Sequence, residues 1–185
     1  MTPTALIIFH EGFEEIEAIT TFDLLHRAGI ACTLASRETT LEVQGHTGLT
    51  VKLATSLEAV QGQLFDAIIV PGGKGTPHML GDKRIIGLLQ QHQEAGKIVA
   101  AICAAPLILN DANVLSGKKF AAHPCVWEAL PGVQKGESVV VDGKLITANG
   151  PGATIPFAKA LITALVSAQK AEAIMEAIGL HGYQH

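Results

Sequence analysis

Residues 98–110, Ile-Val-Ala-Ala-Ile-Cys-Ala-Ala-Pro-Leu-Ile-Leu-Asn, carry the pattern on which the fold turns. Ile98 to Ile102 is apolar at every position, as a strand buried on both faces must be. Ala104 to Asn110 then has helix composition, and Pro106 is tolerated because it falls in the first turn, where its missing N–H is not needed. A buried strand that runs directly into a helix is half of a parallel βα unit. The whole stretch from Ile98 to Leu109 is the longest mostly apolar one, and its twelve residues are too few to cross a bilayer.

The same pattern recurs on both sides. Ala5 to Phe9 is a second apolar run of strand length, followed by Ile16, Ile19, Phe22 and Leu24-Leu25 at helical spacing, with Gly29 as the stop. Ile30 to Ala35 and Phe65 to Val70 are further strands, and Lys83 to Ala95 is a helix whose buried face is set by Ile85, Ile86, Leu88 and Leu89. Glu42 to Leu53 alternates apolar and polar residues around glycines and predicts a small antiparallel excursion. Val139–Val141 and Leu145–Thr147 flank Asp142-Gly143, a hairpin signal. Ala153 to Ile178 is helical, with a break near Ser167. The expectation is an α/β, flavodoxin-like sandwich: a mostly parallel sheet between helix layers, with a small antiparallel hairpin excursion, forming a single domain over residues 1–185.

Composition narrows the function classes. The chain is 48% apolar and 16% charged, which favours a packed core over disorder. A net charge of -4, with Lys118-Lys119 the longest basic run, argues against nucleic acid or an anionic membrane as partner. Three cysteines without a C-x-x-C pair fit a reducing cytosol better than a disulfide framework. No Lys or Arg precedes Arg27, so a secretory signal is not expected and the chain is placed in the cytoplasm.

Ligands of parallel α/β sheets bind outside the carboxyl ends of the strands. Cys103 stands at such an end, hemmed by small residues at a strand-to-helix junction. That position resembles a nucleophile elbow, although G-x-S-x-G is absent. A helix N-terminus there would favour thiolate, and the N–H of Ala104 with the Gly72-Gly73 turn would offer donors to an oxyanion. The commoner fate of a cysteine is a small buried hydrophobe. Glu17, after Glu14 and Glu15, is either a desolvated acid facing the pocket or one of three exposed acids in a helix's first turns. His123, in the irregular segment Leu115–Glu137, is a candidate proton carrier. His123 and Cys125 lack further metal ligands at recognisable spacing, so no metal is expected. Gly73-Lys74 is followed by Gly75 where a P-loop needs Ser or Thr, and Gly150-Pro151-Gly152 leads to Ile155 where a dinucleotide fingerprint needs Gly or Ala. No nucleotide or other cofactor is expected.

Taken in order, Glu11-Gly12-Phe13-Glu14-Glu15-Ile16-Glu17-Ala18, Asp23 to Ile30, Val70-Pro71-Gly72-Gly73, Ala100 to Pro106, His123-Pro124 and Gly150-Pro151-Gly152-Ala153 resemble the ThiJ/PfpI superfamily, nearest its DJ-1 and YajL-like branch. The resemblance spans almost the whole chain. It implies a homodimer with a strained nucleophilic Cys103, a protonated Glu17 bonded to the sulfur, His123 nearby, and backbone donors at Gly73 and Ala104. No histidine follows Cys103 directly, which separates the chain from the protease-like branch. Two arginines of the resembled branch are also missing, one at Asn149 and one within Gln44-Gly45-His46-Thr47-Gly48, so the branch's anion preference does not transfer. The implied activity is a cofactor-free, glutathione-independent glyoxalase or deglycase acting on small reactive aldehydes or glycated proteins. The competing expectation is a redox-sensing stress protein or chaperone in which Cys103 oxidises to sulfinate.

Overall fold

The computed structural model describes residues 1–180. In chain order the strands are β1 (Thr4–Phe9), β2 (Ala31–Ser36), β3 (Glu42–Gln44), β4 (Thr50–Lys52), β5 (Thr55–Ser56), β6 (Ala67–Val70), β7 (Ile98–Ile102), β8 (Val139–Asp142) and β9 (Leu145–Ala148). The helices are α1 (Glu15–Arg27), α2 (Lys83–Glu94), α3 (Pro106–Asp111), α4 (Thr154–Leu165) and α5 (Ala168–Ala177). Seven strands among the described residues form one sheet in the order β5-β2-β1-β6-β7-β9-β8. All its pairings are parallel except β8 with β9, the hairpin expected around Asp142-Gly143. The β3–β4 pair is the separate antiparallel excursion. This is the flavodoxin-like sandwich expected from the sequence.

Alternation along each central strand feeds two cores. Leu6 and Ile8, Ile68 and Val70, and Val99 and Ala101 point to one side, against Ile85, Leu88 and Leu89 of α2 and Ile108 and Leu109 of α3. Ile7 and Phe9, Ile69, and Ala100 and Ile102 point to the other, against Leu24 and Leu25 of α1, Phe157 and Leu161 of α4 and Ile174 of α5. Strands apolar at every position are thereby explained, because both faces are covered. Cys103, just past the end of β7, packs against both cores.

Helix α1 departs from the expected face. Ile16 is 52% exposed, while Glu17, Ala18, Thr21, Leu24 and Leu25 are buried. The inward stripe is thus shifted by one residue and starts on a carboxyl group. Further shifts are small: β6 begins at Ala67 rather than Phe65, α3 at Pro106 rather than Ala104, and the two-residue β5 had no signal in the sequence. Among the described residues no helix is long and apolar enough to cross a membrane.

Buried histidine is partly structural here. The Nδ1 of His92 donates to Leu88 O at 2.7 Å, and its Nε2 accepts the Phe65 N–H at 3.0 Å. The neutral ring therefore fastens α2 to the entry of β6 with both nitrogens used, and burial holds its pKa down. The expected break near Ser167 is also a built feature. Its side chain caps α5 by accepting the Lys170 N–H at 3.1 Å. Replacement of such a cap costs about 1 kcal/mol. Ser167→Ala should therefore lower unfolding stability by about 1 kcal/mol in urea titration, with no change in its slope.

Candidate active site

Three turns meet at the carboxyl end of the sheet. The first is the β1–α1 turn. Gly12 N–H reaches Gln44 O at 2.8 Å and His46 N–H reaches Phe13 O at 2.7 Å, which docks the β3–β4 turn beside it. The second is the Pro71-Gly72-Gly73 turn after β6, where Glu14 N–H donates to Gly72 O at 3.0 Å. The third is the exit of β7. Cys103 N–H still bonds to Ala148 O at 2.9 Å, as a continuation of the ladder with β9. Its φ is then 65°, in the left-handed region that side-chain-bearing residues seldom occupy. The chain turns there on Cys103 itself, as an elbow requires.

The Glu17 side chain is fully buried. Its Oε2 accepts the Gly72 N–H at 2.7 Å, while its Oε1 meets no hydrogen-bond partner among the described residues. Burial raises its pKa to about 7, and the charge of Glu14 adds to that; the Gly72 N–H and the Cys103 thiol partly oppose it. A Cβ on Gly72 would stand 2.8 Å from Cys103 Cβ and 3.0 Å from Glu17 Oε2. The turn therefore brings backbone, thiol and carboxyl together only because residue 72 has no side chain. Gly73, at φ 118°, passes so close to Gly12 O and Glu14 N that it too must be glycine.

The sulfur's surroundings differ from the sequence expectation. A helix dipole was expected to favour the thiolate, but α3 starts three residues later and is only six residues long. Burial instead pushes the Cys103 thiol up, followed by the charge and hydrogen bonding of Glu17; the Ala104 N–H facing the sulfur is the one group that lowers it. Thiol and carboxyl cannot both ionise cheaply, so above the Glu17 pKa of about 7 the pair keeps one proton between them. When Glu17 carries it, the repulsion on the sulfur is gone and the bare Oε1 is positioned to be a donor.

His123 reaches Cys103 through its backbone, its N–H donating to Cys103 O at 2.8 Å. Its ring accepts the Cys125 N–H on Nδ1 at 3.2 Å, which leaves the proton of the neutral ring on Nε2. The segment around it is held by Ala121 N–H on Thr147 Oγ1 and Trp127 Nε1–H on Ala122 O, both at 2.8 Å. The N–H of Gly73 has no partner among the described residues. Two contacts escaped the sequence reading. Gly72, expected with Gly73 only as an oxyanion donor, holds the Glu17 carboxyl, and His10 lies buried under the turn with Nδ1 3.1 Å from Glu11 O and Nε2 3.3 Å from Pro71 O. Spacing carried no signal for either, since Gly72 N–H to Glu17 and His10 Nε2 to Pro71 O join residues distant in sequence. Near the missing arginines the structure places Lys74, whose Nζ donates to His46 O at 3.0 Å. Among the described residues no three His, Cys, Asp or Glu side chains converge to hold a metal ion.

Residues 3–164 match the DJ-1/PfpI family. The chain belongs to that family. It is 34% identical over 182 residues to the Drosophila melanogaster protein dj-1beta, covering 96% of this chain and 97% of that one. It is 31% identical over 182 residues to a Caenorhabditis elegans protein named glutathione-independent glyoxalase DJR-1.2, with 96% of each covered. Among solved structures, Toxoplasma gondii DJ-1, described as oxidized, superposes with a TM-score of 0.93 at 33% identity, covering 98% of this chain and all of that one. Membership in the DJ-1/PfpI family supports enzymatic activity, and one relative bears the name of a glyoxalase.

The raised Glu17 pKa makes stability depend on pH. Its folded value of about 7 lies above the ordinary 4.5, so the folded state binds the extra proton. That contribution is complete below pH 4.5 and is lost as pH rises through about 7. It amounts to something on the order of 3 kcal/mol. His10 and His92, both lowered by burial, act with the opposite sign over part of this range. The difference between wild type and Glu17→Gln isolates the carboxyl. Denaturant unfolding from pH 4.5 to 7.5 should show stability falling less steeply with pH in the variant.

Proposed function

We propose that the protein is a cofactor-free, glutathione-independent glyoxalase or deglycase, with Cys103 as nucleophile and Glu17 as proton shuttle. The observation that carries this reading is the buried Glu17 carboxyl, held by Gly72 with its pKa near 7, beside a cysteine on a strained elbow. A base works best when its pKa lies near the operating pH.

The sulfur of Cys103 attacks the aldehyde carbon of a 2-oxoaldehyde. The oxygen that becomes negative is met by the N–H groups of Gly73 and Ala104 and receives the proton of the thiol–carboxyl pair, giving a hemithioacetal. Glu17, now a carboxylate, removes the hydrogen from the former aldehyde carbon and returns it to the adjacent ketone carbon, while His123 gives its Nε2 proton to the ketone oxygen and regains one from the hemithioacetal hydroxyl. The product of this shift is a thioester of Cys103. Water cleaves it, releasing a 2-hydroxy acid and regenerating the thiol. Early aldehyde adducts of protein amines and thiols present the same carbons, which extends the reading to glycated proteins.

Purified protein, without metal or glutathione, should convert methylglyoxal to lactate. Cys103→Ser and Glu17→Gln should each lose at least about a hundredfold in kcat/KM. Activity equal in all three proteins would overturn the assignment.

The second reading, a redox-sensing stress protein or chaperone, draws on the same atoms. A Cys103 sulfinate would take hydrogen bonds from protonated Glu17 and the Ala104 N–H, and one family relative is described as oxidized. Peroxide oxidation without aldehyde turnover would favour it. For either activity we place the protein in a reducing cytosol, where its three cysteines, none in a disulfide, are stable.

A homodimer is part of the proposal. Ile16 and Leu49 are 52% and 49% exposed, and Glu15 Oε1 accepts the Thr47 N–H at 2.7 Å, which joins α1 to the β3–β4 turn in one partly apolar face. Sedimentation should give a dimer for wild type and a monomer for Ile16→Lys.

A further inference from the structure

Cys125 has no role in the chemistry above, yet it is exposed and tied to Cys103 through a single residue. His123 donates its backbone N–H to Cys103 O at 2.8 Å and accepts the Cys125 N–H on its ring at 3.2 Å. Cys125 lies in a short 3-10 turn, Pro124–Ala129, outside the sheet. Such turns hold weaker hydrogen bonds than the ladders around them. Bringing the two Cα atoms within the roughly 7 Å that a disulfide demands would call on this turn before the β7 ladder. The two thiols also interact electrostatically, Cys125 being among the groups that raise Cys103.

We infer that Cys125 is a resolving cysteine, which captures Cys103 after its first oxidation and forms a reversible Cys103–Cys125 disulfide within one chain. The inference rests on the reading of Cys103 as a reactive thiol. With a hydroperoxide as oxidant, the Cys103 thiolate attacks the terminal oxygen, the O–O bond breaks, and water or an alcohol leaves. Cys103 is then a sulfenic acid, oxidised by two electrons. The Cys125 thiolate attacks that sulfur, the S–O bond breaks, and the hydroxyl departs as water with the proton that Cys125 gave up. A two-electron thiol reductant reverses the step by exchange. Capture protects Cys103 from the sulfinate and sulfonate stages, which ordinary thiols do not reverse. Cys32 cannot substitute. It lies on β2, separated from β7 by β1 and β6 in the sheet, half-buried, with its thiol on Ile30 O at 3.6 Å.

The test treats reduced wild type, Cys125→Ser and Cys32→Ser with stoichiometric hydrogen peroxide, blocks free thiols, and maps unreduced peptides by mass spectrometry. Wild type and Cys32→Ser should yield the Cys103–Cys125 linked peptide in the band of the single chain on a non-reducing gel. Cys125→Ser should lack it and accumulate Cys103 sulfinate several-fold faster. Equal sulfinate formation in all three proteins, or linkage only between chains, would overturn the resolving role while leaving Cys103 a reactive thiol. Cys103 unmodified in every protein would overturn both.

Discussion

The 2.7 Å bond from the Gly72 N–H to Glu17 Oε2 is the contact around which the active end of the molecule is arranged. A carboxyl group this deeply buried is costly unless it is hydrogen-bonded or neutral, and here it is both in part. One oxygen has a strong backbone donor, and the other has none among the described residues. The environment therefore favours the protonated acid and keeps a proton beside the sulfur of Cys103. Three sequence-distant turns must all be in place for this. The α1 start supplies the carboxyl, the β6 exit supplies the N–H, and the β7 exit supplies the thiol.

The architecture was legible because double-sided burial leaves a plain mark. Ala5–Phe9, Ala67–Val70 and Ile98–Ile102 are apolar at each step, and the punctuation at Gly29, Gly96 and Asp142-Gly143 falls where the elements end. Local chemistry also fixed the break at Ser167, a side-chain cap. Where burial depends on distant partners, the sequence was a poorer guide. Ile16 was expected on the inner face of α1 and lies outside, because the neighbouring Glu17 takes the inward position under the Gly72 turn. Nothing in the spacing of Glu14, Glu15 and Glu17 distinguishes the one that is buried. Only resemblance to a family singled it out.

The site was legible to a similar degree. Cys103 could be placed at an elbow from its small neighbours, and its φ of 65° bears out the sharp turn. The expected source of thiolate character was different. The short α3 stands off from the sulfur, and burial followed by the neighbouring Glu17 pushes the thiol up instead. His123 was expected as a proton carrier, and its backbone N–H also ties the irregular segment to the elbow. Backbone contacts of this kind, and the buried His10 beneath Pro71, have no sequence periodicity to betray them.

The two-sided strands have a consequence for how such a chain can change length. Each residue added to or removed from β7 would exchange the side chains committed to its two cores and turn the elbow about the strand axis. Cys103 would then leave the carboxyl of Glu17 even if every contact elsewhere survived. Insertions in the Leu115–Glu137 segment carry no such parity. The parts of that segment away from His123 and Cys125 can therefore change length, while the address of the nucleophile is counted from the start of β7.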